Sequence, residues 1–329
     1  MAILFLMVVM IICIGMGITF GASNVSLRHF LPGNNATEIE HAILFEVRLP
    51  RVLIAGLLGG ALAVAGVVFQ ALLRNPLADP YVLGVSGGAS IGGVLAISLG
   101  LAATSGWLGS MVVPACAFAG ALGALFLIES IATVDGRLTV YTVLLTGVIF
   151  NAFAAAVIYF IESIASLEQL HEVVFYLMGR VPSLGHEELS VLSVAIILGT
   201  ISLVTMCRDY NALSLGEESA MHLGVDVERI KRRTFILGSL LTGLTVAVAG
   251  LIGFVGLVVP HMLRLLFGPD HRLLLPAAFF GGGGFLILAD LFARVVIAPN
   301  ELPVGVVTAL VGGPFFLYLL RTRSGSYDH

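Results

Sequence analysis

RNPLADPYVLGVSGGASIGG, residues 74–93, decides how the chain folds. Its prolines, arginine and aspartate fall between two apolar runs, 52–73 and 82–100. Proline carries no N–H and pushes the residue before it out of helical backbone, so Arg74-Asn75-Pro76 ends the first run as a helix. Asp79 suits an N-cap and Pro80 a first helical turn. NPLADP (75–80) is therefore a tight elbow between two helices, and GVSGGASIGG (84–93) forms the first turns of a Gly/Ser-lined helix. Non-helical backbone beside membrane helices is tolerated only against protein or a water-filled cavity, which makes the elbow a candidate pathway wall.

The two runs are membrane spans because of the chain around them. It is 58% hydrophobic and only 11% charged, against roughly a quarter charged in soluble domains. Ten apolar segments follow one another: 2–20, 52–73, 82–100, 108–128, 139–161, 188–206, 234–256, 257–267, 273–296 and 303–320. Most approach the roughly 20 residues that cross a bilayer, while 257–267 is a tilted or broken element. The expected fold is an all-α integral membrane protein with about ten transmembrane helices in one domain, 1–329. The first run lacks a basic n-region and an Ala-x-Ala site, so it is read as a retained span rather than a signal peptide.

Orientation follows from the basic residues. With the N-terminus in the cytoplasm, eleven of the sixteen fall inside and five outside (Arg28, Arg48, Arg51, Arg180 and Arg294), as the positive-inside rule requires. Both termini are then cytoplasmic. The longest inside loop, 208–233, is bounded by basic residues and punctuated by Gly216 and Gly224. Glu217 and Glu218 at one end of a short helix and His222 at the other suit its dipole. Two surface helices, 217–222 and 226–232, are expected there, forming either an anchor loop or a docking element for a partner.

Several functions are weighed by their chemistry. Lys231 is the chain's single lysine and precedes Arg232, so no G-x-x-x-x-G-K-[ST] phosphate loop exists. Any ATP-driven engine is a separate polypeptide. No chain of Asp, Glu or His crosses the spans as a proton relay would, so an ion-coupled secondary transporter finds little support. Asp290 and Arg294, four apart, share a helix face and can pair. GVSGG matches the G-x-S-x-G nucleophile elbow. An intramembrane hydrolase built on Ser86 needs a histidine base, however, and His261 is the one histidine in a span. Cys13, Cys116 and Cys207 lie apart, with no CxxC, and give neither a disulfide frame nor a metal site.

Longer stretches carry a family resemblance. RLPR (48–51), GALAVAGVVFQALLRNPLADPYVLGVSGGASIGG (60–93), LSLGEESAMHLGV (213–225), GFVGLVVPHMLRLLFGPDHRLLLP (253–276) and ELPVGVVTALVGGPFF (301–316) resemble, in order, the motifs of the FecCD family. These are permease subunits of type II ABC importers for cobalamin, heme or iron siderophores. The resemblance implies ten helices, a second copy of the permease as a homodimer, two ATPase subunits that carry the ATP and Mg, and an extracytoplasmic binding protein, all at a bacterial or archaeal cytoplasmic membrane. It implies no enzymatic activity, cofactor or nucleic acid for this chain. By motif match, Arg48, Arg51 and Arg294 would receive acidic residues of the binding protein. Asn75 and Leu77 would form a cytoplasmic gate, with Val140 and Tyr141 at a second constriction. There LTVYT (138–142) is bulkier than the small hydroxyl residues common in relatives. Gly216, Glu217, Glu218, Ser219, Ala220, His222, Leu223 and Gly224 would fall on the ATPase coupling helix.

Overall fold

A computed structural model describes residues 1–21, 38–101 and 107–324; Arg28, one of the five outside arginines, lies outside them. The described chain is helical apart from connections and one short antiparallel hairpin, Thr133–Val134 with Arg137–Leu138. The ten apolar segments appear as α1 (Ala2–Thr19), α3 (Leu49–Leu72), α4 (Val85–Ser98), α5 (Trp107–Ala132), α6 (Val140–Ile164), α8 (His186–Val204), α11 (Val227–Ala249), α12 (Val255–Phe267), α13 (His271–Val295) and α14 (Val304–Ser324). The rest are short: α2 (Glu38–Ala42), α7 (Leu167–Leu177), α9 (Cys207–Leu213) and α10 (Glu217–His222). Among the described residues seven helices are long and apolar enough to cross a bilayer alone; α4, α12 and α14 are shorter apolar helices.

α3 is the axis of the bundle. It packs against α1, α8, α11, α12 and α13, and its apolar core is almost wholly buried. Small residues permit this: Gly59 on α3 faces Gly282 on α13, and Gly66 faces Gly256 on α12, so closely that a methyl at any of these positions would meet the opposite backbone. Lipid provides no hydrophobic drive between helices, so such close packing is what holds them. Gly88 and Gly120 repeat the device where α4 crosses α5. α11 touches α3, α4, α5 and α8 and joins the two groups of helices.

Three local readings need correction. The basic stretch 226–232 is not a separate surface helix but the first two turns of α11, which Asp226 caps by accepting from Arg229 N at 3.1 Å. That span therefore begins and ends earlier than its apolar residues suggest. Its far end is set by Gly250 at φ +70, and the chain runs irregularly to Phe254 at φ +68 before α12 starts. RLPR, expected as a connection, instead lies within helix: α2 passes through a π-helical turn, Ile43–Arg48, directly into α3. Pro50 lies at that junction, where its missing N–H removes one helical hydrogen bond next to the π-helical turn.

Candidate functional site

The connections after the second, fourth, sixth and eighth spans meet on one face, as strict alternation requires. The elbow is built as its residues dictate. Asn75 Oδ1 accepts from Leu77 N at 2.9 Å, and Asp79 accepts from Tyr81 N at 2.8 Å, opening a 3-10 turn, Pro80–Leu83. Gly84 then enters α4 with φ +88, a conformation costly for any residue with a Cβ. Arg74 reaches Glu217 on α10 at 3.4 Å. Glu217 also binds Lys231 at 2.7 Å, and Lys231 binds Glu228 at 3.2 Å. Glu228 in turn accepts from Leu138 N of the hairpin at 2.9 Å, and Arg232 pairs with Glu129 at the end of α5. Asn211 on α9 donates to Asp270 and accepts from His271 N. That Asn211 bond, followed by the Arg272 N–H, holds the Asp270 carboxyl below the usual carboxylate range.

α10 is a short helix framed by Gly216 at φ +116 and Gly224 at φ +83. Glu217 and Glu218 occupy its first turn and His222 its last. Ala220 is buried and anchors it, whereas Glu218, Ser219, His222 and Leu223 are exposed. Sequence reasoning missed Leu215 and Met221, which stand out beside Leu223 at 67%, 55% and 64% exposure. Large apolar groups at a polar face, ringed by charges, form a surface suited to a protein partner.

On the opposite face the three arginines converge. Asp290, 1% exposed, binds Arg294 at 2.9 Å and Arg51 at 3.0 Å. Arg51 also holds Glu301 at 2.9 Å. Arg48 donates to the Ile18 and Thr19 carbonyls at the end of α1, and Arg294 to Gly17 O. Those carbonyls lack intrahelical partners, so the guanidinium groups close the helix. Arg48 and Arg294 are thus buried and Arg51 is the more accessible of the three. Arg51 as the third member of the Asp290 cluster was invisible in sequence, because it comes from a different helix.

Between these faces lies a cavity of about 320 Å³ on the side of α4 and α6. Three of its lining residues are joined: Tyr81 O accepts from Asn151 Nδ2 at 2.8 Å and Ser86 Oγ at 3.2 Å. The Tyr81 hydroxyl accepts from Ile252 N and donates to Ile252 O, which pins the elbow to the break before α12. Among the described residues the hydroxyl of Ser86 bonds this carbonyl and no histidine, which is structural use of the serine. Asn75 and Leu77 are exposed at the elbow, and Tyr141 is 73% exposed on the first turn of α6 beside half-buried Val140. No hydrogen bond joins these two pairs among the described residues.

The comparisons agree with this architecture. The cobalamin import system permease protein BtuC of Halobacterium salinarum is 43% identical over 286 residues, 87% of this chain and 75% of that protein. The hemin transport system permease protein HmuU of Yersinia pestis is 40% identical over 325 residues, 97% of this chain and 95% of that protein. A solved inward-facing structure of a metal-chelate type ABC transporter superposes with TM-score 0.82 at 30% identity, covering 97% of this chain and 98% of its own. The model of the FecCD transport family matches residues 6–322. An all-helical membrane chain with the type II importer permease fold, these relatives and that match belongs to the FecCD transport family.

Proposed function

We propose that this permease moves a large metal chelate, in the class of cobalamin, heme and ferric siderophores, from an extracytoplasmic binding protein into the cytoplasm. It works as one of two identical copies, driven by two ATPase subunits that carry the ATP and Mg. The observation that carries the reading is α10: an exposed apolar helix end, tied by Glu217 to both the elbow and α11. An ATPase seated on Leu215, Met221 and Leu223 is connected to the Asn75–Leu77 gate chiefly through Lys231 and α11, and only weakly through the exposed Arg74. Tyr141, exposed beside Val140 at the start of α6, adds a bulky constriction on the same face. Both termini then lie in the cytoplasm, and the Arg51–Asp290–Arg294–Glu301 cluster faces out. Arg51 is its accessible cation, so an acidic group of the binding protein engages Arg51 first, in place of the exposed Glu301, with buried Arg48 and Arg294 supporting the surface from beneath. The two named relatives, a cobalamin and a hemin permease, support those two members of the class, and the siderophore rests on the motif resemblance.

The test is reconstitution. The chain is co-expressed with a candidate ATPase from the neighbouring reading frames and purified on a permease tag. Stoichiometry and ATP-dependent uptake of labelled cobalamin, heme and ferric siderophore are then measured. A two-plus-two complex that takes up one of them is the expected result. A chain that purifies without an ATPase, or whose uptake follows an ion gradient without nucleotide, overturns the proposal.

A further inference from the structure

The basic run at the start of α11 is unevenly used. Arg229 pairs with Asp226 at 3.2 Å, Lys231 with Glu217 and Glu228, and Arg232 with Glu129. Among the described residues Arg233 alone of the four has no carboxylate within ion-pair distance, and it is exposed. It lines a lateral groove of about 480 Å³ between α8 and α11, with Thr205 and Ile201 on one wall and Ile236 and Leu237 on the other.

The groove has a vertical gradient. α11 runs inward from the polar face, so Arg233 lies nearer that face than Ile236 and Leu237. α8 runs the other way, so Thr205 is level with the arginine end and Ile201 with the apolar end. Arg233 is six residues on from Val227, the first residue of α11, which is about 9 Å along the helix at roughly 1.5 Å per residue. With the start of α11 taken at the polar surface, that distance crosses the roughly 5–7 Å headgroup region of one leaflet and reaches the acyl boundary. The adjoining surface of α8 is a belt of exposed apolar side chains, Val194, Ile197, Leu198 and Ile201, which faces hydrocarbon rather than a soluble protein. The hydroxyls of Ser202 and Thr205 donate to backbone carbonyls, so the guanidinium is the donor left for a ligand.

We infer that this groove holds an anionic phospholipid, its phosphate on Arg233 and one acyl chain along Ile201, Ile236 and Leu237. A basic group at the polar end of an apolar slot between membrane helices attracts an anionic headgroup over a zwitterionic one. The inference rests on the membrane-permease reading, with α10 on the cytoplasmic side, but requires neither ATPase nor substrate.

The test uses the purified full chain in detergent, supplied with equal phosphatidylglycerol and phosphatidylcholine of the same acyl composition, and native mass spectrometry of the retained lipid. The wild type retains phosphatidylglycerol over phosphatidylcholine. Arg233→Gln lowers phosphatidylglycerol retention roughly fivefold, the usual effect of one basic residue at a membrane surface, and leaves phosphatidylcholine unchanged. Arg233→Lys keeps the preference, and Arg137→Gln, on the exposed hairpin, does not alter it. Equal retention of both lipids by the wild type overturns the inference, as does an Arg233→Gln chain that retains phosphatidylglycerol like the wild type. Loss of ATP-dependent uptake alongside normal lipid preference would count against the importer reading alone.

Discussion

Replacing Asp290 by Asn keeps the shape of the side chain and removes its charge. In the folded protein Asp290 is 1% exposed and sits between two guanidinium groups, Arg51 at 3.0 Å and Arg294 at 2.9 Å. Arg294 is 5% exposed, so water cannot take over its solvation. Asp290→Asn leaves two cations around a neutral amide. Removing one partner of a buried ion pair costs about 3–5 kcal/mol, because the remaining charge stays uncompensated. Arg51 softens the loss, since Glu301 at 2.9 Å still engages it, so the lower half of that range is expected. At about 2–4 °C per kcal/mol, the midpoint of thermal unfolding in detergent falls by at least about 6 °C. The double variant Asp290→Asn/Arg294→Met removes the stranded cation and recovers more than half of the loss. Intrinsic fluorescence or a thiol-reactive dye on purified protein reads both variants. An Asp290→Asn protein that unfolds within about 2 °C of the wild type refutes the reasoning, as does a double variant no more stable than the single one.

Gly66→Ala places a methyl against the Gly256 carbonyl and should cost about 1–3 kcal/mol or more by overpacking; Gly123→Ala, with nothing within 4 Å, should be neutral in the same thermal assay. Glu218→Lys puts a cation at the N-terminus of α10, against the dipole by about 0.3–1 kcal/mol. It should abolish ATP-driven uptake while the protein purifies and unfolds within about 4 °C of the wild type; intact uptake would remove α10 from the coupling path. Ser86→Ala loses one bond to Tyr81 O and should keep uptake, whereas a nucleophile at that position predicts complete loss of activity. Asp270 is held below its ordinary pKa by Asn211, so its folded pKa is lower than its unfolded one. The stabilisation is present above the unfolded pKa and fades as pH falls through the folded value. Asp270→Asn should flatten that acid limb in unfolding curves taken from about pH 6 to pH 3.

The spans were legible because lipid leaves a chain few options: ten apolar segments became ten helices, with NPLADP as the elbow and Asp79 as its cap. Residues whose setting depends on distant partners were not legible. Lys231 reads as a solvated surface cation, yet it is buried because Glu217 of α10 and Glu228 of its own helix neutralise it. Arg48 and Arg51 read as loop residues because their partners, the end of α1 and Asp290, lie far away in sequence. The i,i+4 spacing did expose the Asp290–Arg294 pair, since both partners lie on one helix. α7 and α9 were passed over because neither is long enough to look like a span. α7 carried a local signal all the same: Ser166 and Gln169 form a capping box.

Under the importer reading, the two bonds of Glu217 are unequal, and the inequality sets where force from α10 goes. Arg74 and Glu217 are 43% and 40% exposed and 3.4 Å apart, a surface pair of about 0–1 kcal/mol that water readily replaces. Lys231 is 7% exposed and 2.7 Å from Glu217, so its ammonium has no water to turn to. Displacing α10 therefore breaks the direct tie to the elbow before the tie to α11. α11 then carries the motion along its length to the Gly250–Phe254 break, where Ile252 is held on both its N–H and its C=O by the Tyr81 hydroxyl. Tyr81 belongs to the elbow turn, and its carbonyl holds Asn151 of α6 and Ser86 of α4. The elbow is thus reached through a rigid helix and a double hydrogen bond, rather than through the exposed ion pair that lies closest to it. Glu228 keeps Lys231 neutralised if Glu217 departs, so the path can release and re-form without stranding a buried charge.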